Sequence, residues 1–382
     1  MESCRGIRAE NRTGENDMEK RELRVGICDD RQEDIEKIEA ALRDGLKRTG
    51  QAASLMICSF QNGEDMYAAT RRENFDLLFL DIEMPGMSGI DFLKKLLPLH
   101  PVPVILVSSL SIKVIDALAA GAVDYVKKPD MGSSAEKDAF LTKLSSKLMF
   151  ASNFHVRIPD DTKKTEVRPP SQAKDRGFFH PVRSGSGSGI IIAIGASTGG
   201  TEAILEILTR FPANMPGIVV TQHMPEGFTS MYAERLNRQC RLTVKEAQGG
   251  ERIQPNLVLL APGGKQMRVV RMGTGYAVQC MNGEKVSGHR PSVDVLFDSV
   301  AYTAKENAMG ILLTGMGADG AAGLLRMRKN GAFTIGQDRE SCVVYGMPME
   351  AHKIGAVCVQ ANLSSIPQIV MSRLTVKSGM TS

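Results

Sequence analysis

The chain has 382 residues, 42% apolar and 24% charged, enough for two ordinary domains that each bury a core. Its net charge of +4, spread without a long basic stripe, gives no footprint for nucleic acid. Seven scattered cysteines (Cys4, Cys28, Cys58, Cys240, Cys280, Cys342, Cys358) form no C-x-x-C pair, and no apolar run approaches the roughly 18–20 residues that a bilayer requires; a zinc site, a disulfide framework and membrane insertion are therefore not expected, and the expected location is the cytoplasm.

In chain order, residues 1–22 lack an apolar signal core and read as a disordered leader, in which Met18 is an alternative start. From 23 to 148 the apolar runs "LRVGIC", "ASLMICSF", "FDLLFL", "VPVILV" and "VDYVKK" read as buried parallel strands. Helical patterns separate them. In "RQEDIEKIEAALRDGLKR" the residues Ile35, Ile38, Leu42 and Leu46 recur at helical spacing. Residues 149–189, rich in Pro, Gly, Ser and charge, read as a flexible linker. From 190 to 370 the β-α rhythm resumes with "GIIIAIGA", "GIVVTQ", "LTVKEA", "NLVLLAP", "AMGILLTG" and "AFTIGQ", and "QMRVVRMGTGYAVQCM" reads as a hairpin. Residues 371–382 form a tail. The fold class is α/β: two doubly wound parallel-sheet domains joined by a linker.

Open parallel sheets gather functional groups beyond the carboxyl ends of their strands. In the first half those ends carry Asp29-Asp30, Asp81, Ser108 and Lys128. Such an oxygen-rich cluster suits Mg²⁺, and an Asp beside it can accept a phosphoryl group. The bland alternative is that each acid only caps a helix. The ordered set "CDD", "FLDIEMPGMSGIDFL", "VSS" and "KKP" closely resembles the response-regulator receiver domain, which is flavodoxin-like. That resemblance implies phosphorylation of Asp81 and Mg²⁺ held by Asp29, Asp30, Asp81 and the Glu83 carbonyl. It also implies switch roles for Ser108, where many receivers carry threonine, and for Lys128.

In the second half GASTGG follows a strand and opens a helix with Ile204, Leu205, Leu208 and Phe211 on its apolar face. A dinucleotide loop would need a glycine where Ser197 stands and an acid after the next strand, and neither is present. A tight turn with no chemistry is a second reading. The third is nucleophilic: Gly195-Ala-Ser197-Thr-Gly199 fits the G-x-S-x-G elbow that exposes a serine oxygen. Serine needs a base, and His223 directly follows "GIVVTQ". An orienting acid, Asp319, follows "MGILLTGMGA", although it too has a capping role as its alternative. Backbone donors near Thr198 or Met316 are candidates for an oxyanion. The order Ser, His, Asp differs from that of α/β-hydrolases.

"IGASTGGTEAI", "VVTQHMP", "APGG", "HRPSVDVLFDS", "LLTGMGADGAAGL" and "YGMP" resemble, in order, the Rossmann-like catalytic domain of chemotaxis protein-glutamate methylesterases. With the receiver ahead of it, the architecture is that of the chemotaxis response regulator methylesterase. The resemblance implies a catalytic triad of Ser197, His223 and Asp319, with "RPSVD" lining the cleft. It implies demethylation of glutamate esters and deamidation of glutamines on methyl-accepting chemoreceptors, phosphate supplied by the chemotaxis histidine kinase, and no cofactor for the esterase itself. A phosphorylation-gated binding module and a DNA-binding output are the rival classes; no helix-turn-helix or basic recognition stretch supports the latter.

Overall fold

The structure is a computed structural model that describes residues 22–49, 54–109, 113–129, 134–149 and 189–379. The expected leader apart from Glu22, and the expected linker apart from its end residues, lie outside the described residues.

The first domain alternates β1 (Leu23–Cys28), α1 (Gln32–Thr49), β2 (Leu55–Phe60), α2 (Gly63–Thr70), β3 (Leu77–Leu80), α3 (Gly89–Leu96), β4 (Val104–Ser108), α4 (Lys113–Ala119), β5 (Asp124–Lys127) and α5 (Ser134–Met149). Its five strands are all parallel, in the order β2-β1-β3-β4-β5, so β1 and β3 meet where the winding reverses. The interior strands β3 and β4 are buried end to end, as their unbroken apolar runs require. The expectation of burial fails at β2, which is only partly covered. β2 sits at the sheet edge with one neighbour, and an edge position leaves part of an apolar run open. Along α1, Ile35, Ile38 and Leu42 are buried at helical spacing, while Leu46 at the far end is only partly covered.

The second domain contains β6 (Ile191–Ala196), α6 (Gly200–Arg210), β7 (Gly217–Gln222), α7 (Phe228–Gln239), β8 (Thr243–Glu246), β9 (Leu257–Leu260), β10 (Gln266–Met272), β11 (Gly275–Met281), α8 (Val293–Thr303), β12 (Ala308–Leu312), α9 (Ala321–Lys329), β13 (Phe333–Gln337), α10 (Met347–Lys353), β14 (Val359–Ala361) and α11 (Ile366–Gly379). Seven parallel strands run in the order β14-β13-β12-β6-β7-β9-β8. From β6 the chain winds outward through β7, then returns to build β12, β13 and β14 on the other side. The expected hairpin is β10–β11, closed by a two-residue turn between Met272 and Gly275. β14 carries no legible signal, being three residues long. On α6 the buried face holds Ile204, Ile207 and Leu208, with Leu205 at its margin. α11 carries the chain past residue 370 to Gly379.

The two domains pack against one another. Val344 joins an apolar cluster that includes Phe140, Leu144 and Leu148 of α5, and Met316 and Val343 lie against it. Tyr125 of β5 stacks on Phe228 of α7, ring centroids 4.9 Å apart.

Candidate active site and phosphoacceptor site

Three neighbouring strands, β12, β6 and β7, end together at one rim of the larger sheet. Ser197 follows β6, and its N–H donates to the Thr314 carbonyl beyond β12 at 3.0 Å. Two residues later Gly199 takes φ 75°, a left-handed conformation that costs glycine nothing, and starts α6. The glycine at 200 has a second reason: a Cβ there would lie 2.2 Å from Gln222 Oε1. Glycines thus let the elbow turn sharply against its neighbours while the serine stays at its tip.

His223 follows β7, and its N–H donates to Ala196 O at 3.1 Å, one step beyond the β6–β7 ladder. Its ring lies between the other two residues, with Nδ1 3.0 Å from Ser197 Oγ and Nε2 2.7 Å from Asp319 Oδ2. Asp319 is 2% exposed. Its Oδ1 accepts from Ser292 Oγ (2.8 Å) and the Asp294 N–H (3.1 Å), and its Oδ2 from the Val293 N–H (2.8 Å). The carboxylate therefore sits on the N-terminus of α8, where free amides and the helix dipole favour negative charge. Burial alone would raise its pKa, but the His223 hydrogen bond and charge, with the α8 donors, outweigh it and hold the pKa below the usual value. An ionised Asp319 requires the proton on Nε2. Nδ1 is then the acceptor facing Ser197 Oγ–H. The two ring nitrogens have the reverse of their roles in the serine-protease template.

His289 lies flat on His223, centroids 3.6 Å apart and planes 8° from parallel. Burial, then repulsion from a charged His223, pushes its pKa down to about 3, so it stays neutral. Its loop is pinned by Gln266, whose Nε2 donates to the carbonyls of Glu284 (3.0 Å) and His289 (3.2 Å), while Oε1 accepts the Ser292 N–H (2.8 Å). "HRPSVD" therefore does reach the site. The stacked imidazole and the Ser292 donor went unforeseen; the serine ahead of a helical pattern was the available signal for the second. Among the described residues, no acceptor sits on the backbone N–H of Thr198 or Met316, the two expected oxyanion donors.

The smaller domain contacts this elbow. Thr198 Oγ1 donates to the Asp124 carboxylate and accepts from Lys147 Nζ at 2.9 Å, while Lys147 also pairs with Asp124. The Gly199 N–H donates to Val123 O at 3.2 Å.

At the carboxyl end of the five-stranded sheet, oxygens of Asp29, Asp30 and Asp81 lie within 4.8 Å of one another. Lys128 Nζ reaches Asp81 Oδ2 at 2.7 Å and Asp29 Oδ2 at 2.6 Å. It also reaches Asp34 Oδ2 at 3.2 Å, a carboxylate on α1 that no strand-end reading could find. Burial raises the Asp29 pKa against the pull of Lys128. On Lys128 burial acts to lower the pKa, but the two aspartates overcome it and raise it. Ser108 is buried at the end of β4, and its carbonyl accepts the Lys128 N–H at 2.9 Å, which sets the lysine beside it. The Ile82 N–H donates to Asp81 Oδ1 at 2.6 Å, and the Glu83 side chain pairs with Lys113 at 3.2 Å. Three clustered carboxylates are a donor set that fits a hard divalent cation.

Fold and sites together define a class: a five-stranded α/β domain with a carboxylate cluster at its sheet edge, fused to a doubly wound domain that carries a Ser–His–Asp constellation. Residues 25–135 match the response regulator receiver domain, and residues 192–370 match CheB methylesterase. A protein-glutamate methylesterase/protein-glutamine glutaminase of Syntrophomonas wolfei is 51% identical over 293 residues, 77% of this chain and 82% of that one. The protein of the same name from Escherichia coli is 44% identical over 309 residues, 80% of this chain and 85% of that one. A crystal structure of the Thermotoga maritima CheB methylesterase catalytic domain is 36% identical, with a TM-score of 0.47, and covers 48% of this chain and 98% of that one. The chain belongs to the family of receiver-linked protein-glutamate methylesterases/protein-glutamine glutaminases.

Proposed function

We propose that this chain hydrolyses glutamate methyl esters on methyl-accepting chemoreceptors to glutamate and methanol, and receptor glutamines to glutamate and ammonia. The observation that carries this reading is the single imidazole of His223 bridging Ser197 Oγ and Asp319 Oδ2. Ser197 Oγ attacks the ester carbonyl while its proton passes to His223 Nδ1. The carbonyl π pair moves onto oxygen, where the free N–H groups of Thr198 and Met316 are the candidate donors. Collapse breaks the C–OCH₃ bond, and the imidazolium returns the proton to the departing methoxide. Water, deprotonated by the same nitrogen, then cleaves the acyl-enzyme. Asp319 stays ionised throughout, fixing the tautomer and balancing the imidazolium charge. In the deamidation reaction ammonia takes the place of methanol.

Asp81 is the proposed phosphoacceptor, with the chemotaxis histidine kinase as donor and the cytoplasm as setting. Asp29, Asp30, Asp81 and the Glu83 carbonyl would hold Mg²⁺, which when bound supplies charge neutralisation for phosphoryl transfer. Lys128 pairs with the acyl phosphate, and Ser108 donates to one of its oxygens. The contacts of Val123, Asp124 and Lys147 with the elbow describe a closed arrangement, and the phosphate shifts the population away from it. The test is methanol release from methylated receptor, with and without a small-molecule phosphodonor. Absence of methanol under both conditions would exclude the esterase reading.

A further inference from the structure

Gln222 is the last residue of β7, directly before His223, and is 4% exposed. Its side-chain amide donates to the Ser197 carbonyl at 2.9 Å and to the His223 carbonyl at 3.3 Å. The nucleophile and the base thus have their main chains gripped by one planar NH₂ group. Regular pairing between β6 and β7 ends just before, at Ala196 and Gln222, and the His223 N–H to Ala196 O bond is its last rung. Past that rung, this amide ties the two turns together. The Ser197 carbonyl also accepts the Gly200 N–H at 2.7 Å, so the same oxygen is held from both sides.

The other end of the side chain points to a role independently. Gln222 Oε1 is buried with no hydrogen-bond partner among the described residues. A Cβ at position 200 would lie 2.2 Å from it, so a larger residue there would have to displace this amide. An unpartnered buried acceptor is a cost that a methionine or leucine of similar size would avoid. Exchanging the amide ends would bring an oxygen against two carbonyl oxygens, so the orientation is set by the pair it grips.

We infer that Gln222 is a positioning residue for the esterase reaction: its amide sets the separation and angle between Ser197 Oγ and His223 Nδ1. This rests on the triad reading above. It differs from a packing role in what it requires, which is hydrogen-bond donors rather than volume.

The test uses the full chain and a fluorophosphonate probe. Ser197 Oγ forms a bond to phosphorus, fluoride leaves, and the proton passes to His223. Q222M and Q222E are compared with the wild type by second-order labelling rate across pH, and by thermal unfolding. A geometric error near 1 Å is worth about a hundredfold in rate. Q222M is expected to label roughly a hundredfold more slowly at every pH. Q222E is expected to be as slow in alkali, where its carboxylate faces two carbonyls. Relative to the wild type it should recover as pH falls, because the protonated acid again offers a donor. Variants that label within about twofold of the wild type would overturn the inference. Equal losses in both variants, with lowered unfolding temperatures and no acid recovery, would reduce Gln222 to a packing role. A wild-type chain that resists the probe even with a small-molecule phosphodonor present would overturn the triad itself, and is distinguishable from failure of Gln222 alone.

Discussion

Tyr125 and Phe228, from different domains, lie with ring centroids 4.9 Å apart and planes 30° from parallel. The Tyr125 hydroxyl is buried there without a hydrogen-bond partner among the described residues. The ring favours the closed arrangement through its apolar area, while its hydroxyl opposes it. Removing only the oxygen should strengthen closure by about 1 kcal/mol, the scale of one unsatisfied polar group. Y125F is therefore expected to release methanol several-fold more slowly in the absence of phosphodonor. A rise in the unstimulated rate would contradict the proposed closed state.

Ser197→Ala removes the nucleophile from an elbow whose backbone bonds do not involve Oγ. Esterase activity should fall by several orders of magnitude, while the thermal midpoint moves little. Substantial residual methanol release would require a different nucleophile.

Asp319→Asn separates orientation from charge. An amide can present its NH₂ to His223 Nε2 and so favour the wrong tautomer, for which the serine-protease template loses about 10⁴ in kcat. The same change replaces an acceptor of the Ser292, Val293 and Asp294 donors with a weaker one. Stability should fall by about 1 kcal/mol through the lost helix-terminus charge. Turnover and denaturant midpoint are the two measurements. A variant with normal turnover would remove Asp319 from the triad.

Asp81→Asn should make the esterase rates with and without phosphodonor equal. If the variant still responded fully to the donor, the acyl phosphate would have to form elsewhere.

Asp294 predicts a pH dependence of stability. Burial, foremost, and then the nearby Asp319 charge lift its pKa from 3.8 to about 6, against the pull of the Gly323 N–H. The folded form binds the proton more tightly than the unfolded chain. Its contribution is therefore fully present below pH 3.8 and is lost as pH rises through about 6. The swing is on the order of 2–3 kcal/mol, at 1.36 kcal/mol per unit. The difference in unfolding free energy between wild type and Asp294→Asn should shift in favour of the wild type as pH falls across that window. A constant difference would mean that Asp294 titrates normally.

Most of the site could be found without coordinates because the chemistry falls at strand ends. Apolar runs such as "FDLLFL" and "GIVVTQ" mark where strands stop, and parallel winding brings those ends to one edge. Ser197, His223 and Asp319 are legible that way as candidates, as are Asp29, Asp30 and Asp81, and the structure brings each set together. Asp34 escaped because it projects from a helix, where an acid looks like any solvated charge. β14 escaped because three residues carry no periodicity. His289 escaped because stacking on His223 depends on how the loop after the separate β10–β11 hairpin returns.

Local composition and spacing by themselves determined two parallel α/β domains, a strand-end carboxylate set and a serine at a glycine-lined elbow, because apolar periodicity and turn chemistry act over a few residues. Only the tertiary structure decided which ring nitrogen of His223 faces Ser197, that Gln222 grips both their carbonyls, and that Tyr125 and Lys147 of the receiver reach the catalytic domain. Those relations join residues tens of positions apart. They depend on strand register and domain packing, which no short stretch of chain encodes.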